Sequence, residues 1–122
     1  MPVRIRTKTR LQGSVTPSNL NVETDVINLE NQTDDYIVEG QISLQNMGTG
    51  DIVVIKTYIA VDGTNQVQVD QITLIGAQTL PVVRIPACTV AYNGKFRATI
   101  TQTAGTIRSY PYTFIVQIME IV

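Results

Sequence analysis

The hydrophobic and polar positions of this chain alternate. In VRIRTKTRLQ (3–12), Val3, Ile5, Thr7, Thr9 and Leu11 occupy every second position, with Arg4, Arg6, Lys8 and Arg10 between them. Successive side chains of a strand point to opposite faces, so this spacing predicts a strand with one apolar and one cationic face. GSVTPSN then breaks the pattern with turn residues. A looser strand is predicted over 19–29, a polar loop at 30–35 (ENQTDD), and a strand over 36–45 (YIVEGQISLQ) ending in NMGTGD. DIVVIKTYIAV (51–61) runs into Asp62-Gly63, a hairpin signal, and QVQVDQITLI (66–75) is its expected partner. Pro81 and Pro86 mark TLPVVRIPACTVAY (79–92) as an edge or bulged strand. Asn93-Gly94 reads as a second type I′ turn. KFRATITQT (95–103) alternates with Phe96, Ala98 and Ile100 inward, and YTFIVQIMEIV (112–122) is the last strand. No helical period longer than two turns is visible.

Seven to nine strands with turns every 8–12 residues predict an all-β fold, a two-sheet antiparallel β-sandwich of immunoglobulin-like or jelly-roll type. The 122 residues fit one domain, 1–122, in which 1–12 is a basic N-terminal arm or strand. That size buries a core without metal or disulfide, and the single cysteine, Cys88, reads as a small buried hydrophobe.

Two stretches resemble a known kind of module. IVEGQISLQNMGTGDIVVIKTYIAVDG (37–63) is similar to the strand–NxGTG–strand unit of small immunoglobulin-like modules found in adhesion-related archaeal and bacterial proteins. FRATITQTAG (96–105) is similar to their late strand and turn. The resemblance covers about a third of the chain. It implies a binding or scaffolding unit rather than a catalyst. The disulfide and core tryptophan of antibody-type domains are missing, since the chain has one cysteine and no tryptophan.

The candidate chemistry is sparse. There is no histidine, so the commonest general base near neutral pH is absent, and Ser–His and Cys–His pairs are excluded. Lys8, Lys56 and Lys95 sit in no serine motif, and Asp34-Asp35 or Asp62 with Asp70 read as solvated turns. Zinc ligation lacks its Cys/His cluster, and Asp62, Asn65 and Asp70 lack the spacing of a calcium loop. No phosphate-cradling glycine motif is present. The sequence therefore predicts no catalytic residue, no metal site and no cofactor. Tyr110 and Tyr112, around Pro111, are the candidate ligand patch for a sugar-binding module. A corner packed into the sandwich is the competing reading of those two rings.

Charge is unevenly placed. Residues 1–10 carry four cations; residues 11–55 hold seven acids and no Lys or Arg; residues 56–122 hold five cations and three acids. A strand with four cations on one face repels itself unless anions lie opposite. Three answers are open: the chain's own acidic segment, the acidic segment of a neighbouring copy, or nucleic acid. The last strand adds a second tension. Tyr112, Phe114, Val116, Ile118 and Val122 fall on one face; Ile115, Met119 and Ile121 fall on the other. A strand apolar on both faces is expected to be covered on both, by another subunit or by a draped segment.

From these premises the sequence predicts a non-catalytic, self-assembling structural protein, with a virus particle as its setting, as capsid or capsid-decorating subunit. The alternative is a lectin-like or adhesive binding module; a small enzyme comes third. The expected partners are further copies of the chain or other capsid subunits, with nucleic acid a lesser option. The expected partner-contact residues are Arg4, Arg6, Lys8, Arg10, Ile115, Met119 and Ile121, with both chain ends clamped. A virion location, after synthesis in a host cytoplasm, is expected because the N-terminus lacks a secretory apolar region. No run reaches the ~18 apolar residues of a membrane-spanning helix.

Overall fold

The structure is a computed structural model that describes residues 2–121. Its strands are β1 (Val3–Val15), β2 (Thr24–Asn28), β3 (Tyr36–Ser43), β4 (Ile52–Ala60), β5 (Val67–Ile75), β6 (Val82–Val90), β7 (Lys95–Ala104) and β8 (Tyr110–Ile121). They form two four-stranded antiparallel sheets, ordered β1-β8-β3-β6 and β2-β7-β4-β5. The chain crosses between layers at every connection except β4 to β5. The expected all-β, two-sheet sandwich is therefore the fold. The expectation of clamped chain ends concerns Met1 and Val122, which lie outside the described residues.

The period-2 pattern works as expected in the central strands. Tyr36, Val38 and Ile42 of β3 and Phe114, Val116 and Ile118 of β8 face Val53 and Ile55 of β4 and Phe96, Ala98 and Ile100 of β7 across the core. Fully burying an aliphatic or aromatic side chain of this kind stabilises by about 1.5–3 kcal/mol. Gly40 is required by this packing: a Cβ there stands 2.3 Å from the Phe114 ring, which occupies that space.

Local details differ from the sequence reading for identifiable reasons. β1 runs on through Gly13 to Val15, and β8 begins at Tyr110. Asp62-Gly63 does connect β4 to β5, but only Gly63 is left-handed. Its loop is set by the Asp62 carboxylate, which accepts hydrogen bonds from the backbone N–H of Thr64 and Asn65. Asn93-Gly94 has neither residue at positive φ and joins the two sheets, so it is no type I′ hairpin.

β1 and β6 are the edges of the first sheet, β2 and β5 those of the second. On the β5/β6 flank the layers part into a cleft of about 340 Å³, lined by Ile55, Thr57, Ile72, Val83, Cys88 and Phe96. Cys88 is half-buried there, and burial pushes its thiol above the ordinary value.

Candidate assembly surfaces

β8 is the second strand of its sheet, between β1 and β3. Its inward residues are buried, while Thr113, Ile115, Gln117 and Met119 remain half-exposed on the outer face. Cross-strand partners in an antiparallel ladder share a face, so the register identifies what surrounds them. Leu11, Thr9 and Thr7 of β1 pair with Phe114, Val116 and Ile118, facing the core; Arg10 and Lys8 pair with Ile115 and Gln117, facing out.

The simple alternation of β1 then fails. A bulge between Ile5 and Thr7 shifts the register, so Ile5 pairs with Met119 and Val3 with Ile121. Val3 and Ile5, expected on the core side, stand instead on the outer face with Met119 and Ile121. Arg4 takes the opposite side. A bulge inserts one unpaired residue, which inverts every side chain beyond it. Val3, Ile5 and Ile121 are 60%, 43% and 62% exposed. Ile37 of β3 pairs with Gln117 and joins the same apolar surface.

The charges divide likewise. Arg4 Nε donates to Glu120 Oε1 at 2.7 Å, and Arg6 Nε lies 3.8 Å from the other carboxylate oxygen. The first two cations of β1 are thus answered within their own sheet. The acidic segment 11–55 finds partners late in the chain: Arg97 with Asp25, Lys95 with Glu30, and Arg108 with Asp51 at 2.9 Å. Lys8 and Arg10 have no ion pair among the described residues.

Several carboxylates are tied into the fold by hydrogen bonds. Asp51, 1% exposed, accepts hydrogen bonds from Gly48 N at 2.9 Å, Thr106 N at 3.0 Å and Arg108 Nε at 2.9 Å. The Gly48 N–H above all holds its carboxyl below the ordinary range, outweighing burial, with Thr106 and Arg108 assisting. Glu23 accepts from the Tyr58 and Thr99 hydroxyls. Burial pushes its carboxyl up, but those hydroxyls and the Arg97 and Lys56 charges hold it lower. Asp34 and Asp35 cap backbone N–H groups of their own loop and of Tyr92. Among the described residues, no three His, Cys, Asp or Glu side chains gather as a metal site.

The candidate ligand patch is corrected by burial. Tyr110 is fully buried, and its hydroxyl donates to Gln102 Oε1 at 2.6 Å; burial pushes its phenol up to about 12. Tyr112 packs against the core, tilted toward Phe114 with centroids 6.3 Å apart. No exposed two-ring platform exists at this corner. The sequence reading missed Val3, Ile5, Ile37 and Glu39 as surface components, because their common face depends on register and bulges.

No family model and no curated protein matches this chain. Solved structures do. A chain in the structure of infectious bursal disease virus, Gx strain, is similar with a TM-score of 0.51 and 13% identity, over 97% of this chain and 33% of that one. The VP2 subviral particle of the same virus gives 0.51 and 12%, over 95% and 33%. A Bacillus endospore appendage protein, from a family of disulfide-linked pili, gives 0.53 and 15%, over 92% of this chain and 88% of that one. The chain thus spans about a third of the viral chains it matches. At these identities the likeness is one of fold. Among the described residues, no helix is long and apolar enough to cross a membrane.

Proposed function

We propose that this chain is a non-catalytic, self-assembling structural subunit. The observation that carries the reading is the outer face of the β1-β8-β3-β6 sheet. There the bulge in β1 gathers Val3 and Ile5 with Met119, Ile121, Ile115 and Ile37, and among the described residues no further strand or sheet lies over them. Apolar side chains gathered on one open face, here interrupted by Gln117 and Lys8, support an interaction site. Two four-stranded sheets joined by connections that cross between layers support the jelly-roll reading of this sandwich, an architecture of viral capsid and lectin domains. The particle-forming and pilus-forming structures with this fold support an assembly role, and we place the subunit in a virus particle, as shell or decoration component. The absence of histidine supports a non-catalytic role. A glycan-binding reading through Tyr110 and Tyr112 loses its platform to the burial of Tyr110.

Of the expected contact residues, Lys8, Arg10, Ile115, Met119 and Ile121 stand on this face, while Arg4, turned to the opposite side, and Arg6 are engaged by Glu120 of their own sheet. Exposed ion pairs contribute only ~0–1 kcal/mol each, so apolar burial carries the affinity and the cations orient it. Residues 3–10 are all exposed, so deleting 1–10 is expected to leave a folded domain that fails to assemble. Size-exclusion chromatography with electron microscopy of wild-type and truncated chains reads this directly. Particles of unchanged size after the deletion refute it.

A further inference from the structure

The outer face carries one row in which opposite charges flank an apolar residue. Register places Arg10, Ile115 and Glu39 side by side in one row across β1, β8 and β3. Phe114 and Val116 are buried, so Ile115 and its two ladder partners point outward. Arg10 and Glu39 are then two strand spacings apart, about 10 Å between backbones, with Ile115 between them. Neither makes an ion pair among the described residues. Beside Glu39 the face is hollowed by about 400 Å³, between Glu39, Gln41, Arg84, Pro86, Thr113 and Ile115.

Resting on the assembly reading above, we infer that this face is a two-fold interface with a second copy of the chain. The axis runs along β8 near Ile115, and Arg10 of each copy enters the hollow of the other to meet Glu39. Rotation about an axis lying along the strands exchanges the β1 and β3 sides and keeps each residue's height. The row Arg10–Ile115–Glu39 therefore meets the row Glu39–Ile115–Arg10. An axis across the strands sets β1 over β1 instead, and brings Lys8 and Arg10 against their own kind. Arg84 lies one strand further out, in the row of Gln41, and projects past the second copy's β1 edge.

The dimensions suit this. Aligned sheets pack about 10 Å apart, a gap that an arginine and a glutamate reaching from opposite sides fill. Three strands ~4.8 Å apart and ~30 Å long present on the order of 400 Å² in plan. Side-chain relief raises the area lost per copy toward the ~800 Å² per partner of a standard interface. Ile115 and Met119 of β8 form the apolar centre, the next row lays the Lys8 stem of each copy across Ile37 of the other, and Val3, Ile5 and Ile121 extend the apolar surface toward the chain ends.

The test is a charge swap in the full chain, read by sedimentation velocity over a concentration series. Arg10→Glu and Glu39→Arg are each expected to weaken dimerisation about tenfold or more, as loss of a close interfacial charge pair does. Combining them restores the pair with reversed polarity, to within about threefold of wild type, because the two sites are coupled. Arg10→Gln and Glu39→Gln give smaller losses, and Met119→Asp abolishes dimers; circular dichroism checks that each variant is folded. Dimers indifferent to both single swaps, or unrecovered in the double swap, overturn this interface while assembly through other surfaces stands. A wild-type chain that stays monomeric throughout overturns the assembly reading itself.

Discussion

Replacing Asp51 by asparagine tests how the three connections at one end of the sandwich are held. The carboxylate sits in the β3–β4 turn and is pinned by donors on both oxygens. Oδ1 accepts from Thr106 N; Oδ2 accepts from Gly48 N and Arg108 Nε. Its backbone carbonyl also accepts from Gly76 N at 2.8 Å, tying in the β5–β6 connection. An amide must turn its NH2 toward one of these donors. The lesser loss is on the Oδ1 side, where the Thr106 N–H is left unpaired at about 1 kcal/mol, while two charge-assisted bonds fall to neutral strength at about 0.5–1 kcal/mol each. The site has no room to relax, since a Cβ on Gly105 alone stands 1.9 Å from Oδ1. Arg108 is 35% exposed, so its ion pair adds little beyond those bonds. The total is about 2–3 kcal/mol. With an unfolding entropy near 2.1 cal/mol/K per residue, a chain of this length loses ~8–12 °C in Tm.

The assay is thermal unfolding by circular dichroism for wild type and Asp51→Asn, from neutral to acid pH. The folded-state carboxyl is held below its ordinary value. Its stabilisation is therefore complete above the unfolded value of about 3.9 and is lost as pH falls through the depressed folded value. The two Tm curves are expected to lie far apart at neutral pH and to converge below that window. An asparagine variant within ~3 °C of wild type at neutral pH, or a gap that persists undiminished into acid, refutes the reasoning.

Two further substitutions probe the core. Gly40→Ala drives a methyl group into the Phe114 ring, and overpacking of that kind costs about 1–3 kcal/mol; urea denaturation with an unchanged midpoint contradicts the close approach. Tyr110→Phe removes the 2.6 Å hydrogen bond to Gln102 and is expected to lower stability by about 1 kcal/mol, measured the same way. A midpoint unchanged in this variant places the hydroxyl outside the network.

The strands were largely legible because alternation reports which face of a segment is buried, and Val53, Ile55, Phe96, Ala98 and Ile100 obey it. Which sheet a strand joins was not legible, since periodicity carries no information about its neighbours. β1 shows the cost most plainly: VRIRTKTRL alternates without a flaw, yet the bulge before Thr7 splits it into two halves with opposite sense. Asp51 looked like an ordinary turn residue, because its burial depends on Arg108, 57 positions away. Tyr110 stays open between a ligand patch and a packed corner in the sequence, because Gln102, the group that satisfies it inside, sits on another strand. Gly40, inside a predicted strand, was the one available signal of a close approach.

The leading half of β1 has a property of its own. From Val3 to Arg10 every residue is exposed, so main-chain ladder bonds, the Glu120 contacts and a hydrogen bond from Arg6 to the Thr33 hydroxyl hold this segment in place. Peeling it away leaves the core intact, which makes its release a local event with a free energy separate from that of global unfolding. Chemically identical molecules can therefore hold this segment differently without any of them coming undone.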